Sequence, residues 1–160
     1  DLYPGQFGFS SVKEIPTVRP NIHEGWGRVD IQNSLFSEHR SILYADEQEG
    51  VLQGGTKEYT VTVSNSSEPL RVTLVYSDYP GAASASRALV NDLDIVVIQG
   101  DRKFYPNGKN APDHVNNVEG VDVMNPAKGT TTVQVAGYAI PKGNAAGRQP
   151  YALVISGGIE

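Results

Sequence analysis

Residues 57–64 (KEYTVTVS) and 70–77 (LRVTLVYS) alternate apolar and polar side chains with a period of two. In the first run Tyr59, Val61 and Val63 fall on one side, with Thr60, Thr62 and Ser64 on the other. In the second, Leu70, Val72, Leu74 and Tyr76 alternate with Arg71 and Thr73. Successive side chains of a strand point to opposite faces, so each run reads as a half-buried strand and not as a helix. Residues 65–69 (NSSEP) carry turn chemistry, which predicts that the two runs form an antiparallel hairpin with a long loop. Further strands are predicted at 92–98, 102–105, 118–124, 130–138 and 150–156. The last of these (PYALVIS) is apolar on both faces and belongs in the middle of a sheet. Short strands, Gly/Pro turns and few helix signals predict an all-β fold, an antiparallel jelly-roll-like β-sandwich.

The period of two begins near residue 41. Before it, residues 1–28 show no sustained period, and Pro4, Pro16 and Pro20 block helix continuation, which predicts an irregular N-terminal lead. Residues 29–36 (VDIQNSLF) predict one short helix, with Val29, Asn33 and Phe36 on a shared face and Asp30 near its positive end. A change of composition at 37–40 separates a lead at 1–38 from a sandwich at 39–160.

A chain of 160 residues suffices for one ordinary domain burying roughly 70% of its unfolded surface. The net charge of −5 and the absence of any basic run longer than Arg102-Lys103 argue against nucleic-acid partners. The same balance argues against attachment to an anionic membrane surface, and no apolar stretch is long enough to span a bilayer. With no cysteine, neither disulfides nor thiolate metal sites are available. The chain begins at Asp1 without an initiator Met, which reads as a processed or excised piece.

Chemistry concentrates in one place. Asp92 and Asp94 flank Leu93 where a strand begins, and strand geometry puts the two carboxylates on one face, roughly 6–7 Å apart. Two like charges on an otherwise apolar strand need a cation or a basic partner. Calcium would serve, since it takes 6–8 oxygens, and further oxygen donors cluster at Asn107, Asp113, Asn116, Asn117 and Glu119. The competing reading has Asn91 and Asp92 capping turns and Asp94 paired with Arg71, Arg87 or Arg102. In it Asn116, Asn117 and Glu119 hold backbone groups of a long loop. His23, His39 and His114 read as surface or turn residues. No G-x-S-x-G elbow and no H-E-x-x-H spacing occurs.

Three segments, GWGRVD at 25–30, LVNDLD at 89–94 and NNVE at 116–119, occur in this order together with 70–78, 105–108 and 149–154. In this combination the chain resembles the subtilisin-like serine proteases that carry a β-sandwich after the catalytic domain. The resemblance implies that 1–38 is the end of a catalytic domain with its linker. Residues 39–160 would be a C-terminal sandwich of the galactose-binding-like or P-domain-like kind. It also implies bound calcium, for which Asp92, Asp94, Asp113, Asn117 and Glu119 are the candidate ligands, secretion, and the catalytic domain of the same polypeptide as partner, with protein substrate as a second. Tyr76 stands where many such proteins have tryptophan. The family's Gly-Thr-Ser-Met-Ala nucleophile motif and its His and Asp motifs are absent, so the implied role is non-catalytic. The alternative is a free-standing jelly-roll module that binds carbohydrate or protein. That role needs an exposed aromatic platform, whereas the tyrosines fall mostly at strand positions suited to a core. Trp26, between Gly25 and Gly27, reads as a packing anchor against the catalytic domain.

Overall fold

The computed structural model describes residues 20–35 and 38–160, with only the backbone of Asn33. Pro4, Pro16, the Asn33 side chain and Phe36 lie outside the described residues. The chain divides into two units, Asp1–Glu38 and His39–Glu160. In the first, the Asn21 carboxamide oxygen accepts the amides of His23 and Glu24, and Asn21 and Gly25 exchange backbone hydrogen bonds, which closes a tight turn. Gly25, at φ 56°, takes the left-handed conformation that a side chain would oppose. Helix α1, Ile31–Leu35, follows and starts later than predicted, with Val29 and Asp30 outside it.

The second unit is all-β. Its strands are β1 (Ser41–Leu52), β2 (Thr56–Asn65), β3 (Leu70–Val75), β4 (Asp92–Gln99), β5 (Arg102–Phe104), β6 (Val118–Val123), β7 (Gly129–Ala139) and β8 (Arg148–Ile159). All pairings are antiparallel. One sheet runs β1-β8-β3-β6 and the other β5-β4-β7-β2, the double Greek-key order of a jelly roll. At one corner the sheets join, because the end of β8 also pairs with β2 (Val63↔Ile159, Asn65↔Gly158).

The predicted hairpin of β2 on β3 does not form. β2 pairs with β7 and β8, and β3 pairs with β6 and β8. The 65–69 turn instead carries the chain from one sheet to the other, and the end of β8 runs between the two strands. Turn chemistry reports that a chain reverses, not which strand it then lies beside. β8 does lie centrally, flanked by β1 and β3. β1 is the strand that the sequence did not predict. Its DEQE run hides the alternation, and a bulge between Glu47 and Val51 breaks its register. At that bulge Gly50 has φ 77°, and a Cβ there would lie 2.4 Å from the Gln149 carbonyl carbon.

The inward faces of both sheets meet in one core. Leu70, Val72 and Leu74 of β3, Val121 and Val123 of β6, and Leu153 and Ile155 of β8 face Leu93, Ile95 and Val97 of β4 and Val133 and Val135 of β7. Each such side chain contributes about 1.5–3 kcal/mol when fully buried. Glu119 shares the inward parity of Val121 and Val123 and is itself fully buried.

Candidate metal centre

The site is built on an uncovered edge. β5 is three residues long and pairs only with Val97, Ile98 and Gln99, so residues 92–96 of β4 have no strand along that side. Unpaired amides in a buried edge must find partners. Side chains supply them: the Tyr76 hydroxyl accepts the Leu93 amide at 3.2 Å, and Glu119 Oε2 accepts the Ile95 amide at 2.7 Å. Glu119, on the opposite sheet, thereby reaches across the end of the sandwich.

The segment linking β5 to β6 packs on this edge. Asp113 organises it from within. Its carboxylate accepts Asn107 Nδ2 at 2.5 Å, Lys109 Nζ at 2.6 Å, Asn116 Nδ2 at 2.7 Å and the Val115 amide at 3.1 Å. Burial, the largest single influence on Asp113, pushes its pKa up. The donors from Lys109, Asn107 and Asn116 together outweigh that and hold it below the ordinary value. Asn117 Nδ2 donates to the Tyr76 carbonyl at 2.9 Å and extends the β3–β6 pairing by one step.

Next to Asp113, His114 turns its Nδ1 inward. That nitrogen lies 3.2 Å from Asp92 Oδ2 and 3.4 Å from Asp94 Oδ1. The imidazole stacks on Tyr138, ring centres 4.0 Å apart. Arg87 Nη2 donates to Asp92 Oδ2 at 2.5 Å. Even so, Asp92 Oδ1, Asp94 Oδ1, His114 Nδ1 and Glu119 Oε1 are buried and make no hydrogen bond. Such atoms are uncommon in folded proteins, and each one calls for an explanation. One donor atom from each of Asp92, Asp94 and His114 lies within 4.8 Å of the others.

The electrostatics follow from this crowding. Burial, then the charge of Asp92, pushes the Asp94 carboxyl up to about 6. Burial pushes Glu119 up to about 9; the Ile95 amide opposes the shift, and the charges of Asp94, Asp113 and Asp92 add to it. A divalent cation would relieve the repulsion among these carboxylates.

The structure thus treats the five expected ligands differently. Asp92 and Asp94 come together, and Glu119 stands within electrostatic reach. Asp113 accepts donors of its own segment, and Asn117 Nδ2 holds the Tyr76 carbonyl. Arg87 pairs with Asp92 and not with Asp94, while Arg71 pairs with Asp122 at 3.8 Å. His114, read from the sequence as a surface or turn residue, places a buried nitrogen at the centre of the cluster. Nothing local in PDHV signals this, because the partner carboxylates lie some twenty residues earlier on another strand. The third donor of the cluster is an imidazole nitrogen, whereas calcium draws mainly on oxygens.

No protein-family model matches the sequence, and no curated protein matches it.

Proposed function

We propose that this chain is a non-catalytic accessory β-sandwich of a secreted subtilisin-like serine protease, stabilising the catalytic domain that precedes it and held firm by a divalent cation. The observation that carries the reading is the coincidence of motif and geometry. The LVNDLD segment, which supports the resemblance, supplies Asp92 and Asp94 of the cluster, and the NNVE segment supplies the buried Glu119, whose carboxyl feels the charge of both. The jelly-roll order agrees with a sandwich of this kind. Calcium is the ion that the resemblance implies; the donor set asks for one that also accepts nitrogen. The test is the polypeptide upstream of Asp1. It should encode an Asp/His/Ser catalytic domain, and deleting residues 39–160 from that protein should lower its resistance to thermal inactivation. An upstream sequence without such a domain refutes the proposal.

A second reading, a binding module for carbohydrate or protein, draws support from Tyr79. Of the seven tyrosines among the described residues, Tyr76 and Tyr151 are buried, but Tyr44, Tyr79 and Tyr138 are exposed, contrary to the expectation that most are core residues. Tyr79 is 51% exposed and lines a shallow cleft of about 280 Å³ with Lys142, Asn144 and Arg148. Glycan-array binding that is lost in Tyr79→Ala would favour this reading; a blank array would remove its carbohydrate form.

A further inference from the structure

We infer that the Asp92–Asp94–His114 cluster takes a transition ion of the zinc class, through His114 Nδ1 and one oxygen of each aspartate, and not calcium. This deepens the cation-site reading above and is independent of the protease resemblance. The first support is the nitrogen. The His114 side chain is 36% exposed, yet its Nδ1 is buried and faces both carboxylates without a hydrogen bond to either. Imidazole is a good ligand for zinc, copper, iron and nickel, whereas calcium draws on oxygens.

The second support is spacing. Ligands about 2.0–2.1 Å from a tetrahedral zinc lie about 3.3 Å from one another. The observed separations of Nδ1 from the two carboxylates, 3.2 and 3.4 Å, match that edge. The third is a buried polar atom that points to a ligand by itself. Asp94 is buried, and its Oδ1, the oxygen that faces His114 Nδ1, makes no hydrogen bond.

The surroundings fit such a site. Tyr138 stacks on the imidazole and fixes its plane, as outer-shell groups do around metal ligands. Three protein donors leave a fourth position for water. An ion bound there would pin the 105–117 segment, through His114, to β4, through Asp92 and Asp94.

The test uses the 160-residue chain, stripped with chelator and titrated with Co²⁺, then with Zn²⁺ or Ca²⁺ as competitor. One Co²⁺ should bind per chain and give visible ligand-field absorption, displaced by one equivalent of Zn²⁺ but not by millimolar Ca²⁺. His114→Ala should weaken Zn²⁺ binding by at least about tenfold, or about 1.4 kcal/mol. Wild-type chain with ¹⁵N-labelled histidine gives a readout without substitution, since the His114 Nδ1 resonance should shift when Zn²⁺ binds. Displacement of Co²⁺ by Ca²⁺, with an unmoved His114 resonance, overturns the choice of ion and leaves the cation-site reading standing. No ion bound to the folded chain overturns both, and makes the cluster a closed network of ion pairs.

Discussion

The Tyr76 hydroxyl donates to the Asn91 carbonyl at 3.0 Å and accepts the Leu93 amide at 3.2 Å, so one buried phenol ties the end of β3 to the start of β4. These strands belong to opposite sheets, and the tie closes the end of the sandwich beside the acidic cluster. Tyr76→Phe leaves a buried donor and a buried acceptor unpaired while removing little apolar surface. A loss of about 1–3 kcal/mol is expected, read as a lower denaturant midpoint at unchanged slope.

Glu119 makes stability fall as pH rises when no cation is bound. Its folded value of about 9 lies above the ordinary 4.5, so the folded chain keeps a proton that the unfolded chain releases. The associated stability is complete below about pH 4.5 and is lost progressively up to about 9, at most ~1.4 kcal/mol per pH unit. Asp94, raised from 3.8 to about 6, adds to the decline at the lower end of that range. Asp113 and Glu47, held below their ordinary values, act oppositely, and only in acid. Denaturant midpoints measured in chelator across pH 5–9 should fall for the wild type and flatten in Glu119→Gln.

Gly50→Ala tests the bulge in β1. The new methyl would meet the Gln149 backbone at 2.4 Å in a left-handed conformation, so the strand must shift along β8. Strain of this kind costs about 1–3 kcal/mol. Chemical denaturation should register it, and hydrogen exchange should rise in 41–52 before it rises in β4.

Asp113→Ala removes the acceptor for Asn107, Lys109, Asn116 and the Val115 amide together. Amide exchange across 107–117 should quicken markedly while the protection of β7 and β8 stays near that of the wild type. Equal loosening everywhere would mean that this segment is not a separable local unit.

β2 and β3, whose side chains alternate cleanly, were legible in the sequence because one face of each is buried, and β8 because it is apolar on both faces. The partnership of β2 with β3 was not, since the Asn65–Pro69 turn leads across the sandwich and pairing depends on β8, some ninety residues away. In the site, Asp92 and Asp94 were legible because two carboxylates on an apolar strand conflict with local burial. Asn117 and Glu119 hold backbone groups of Tyr76 and Ile95, the competing use of these residues. His114 was hidden. Its role comes from the uncovered edge that a three-residue β5 leaves on β4, a property of topology and not of neighbouring sequence.

Thermal unfolding of the 160-residue chain, in chelator and again with a divalent ion, tests the cation site most directly. A site present only in the folded chain adds about 2.7 kcal/mol when free ion is near 100 times its dissociation constant. The melting temperature should rise by several degrees with Zn²⁺, and Asp94→Asn should abolish the rise. Melts that coincide in chelator, Zn²⁺ and Ca²⁺ would contradict it, leaving Asp92, Asp94 and His114 held by protein groups alone.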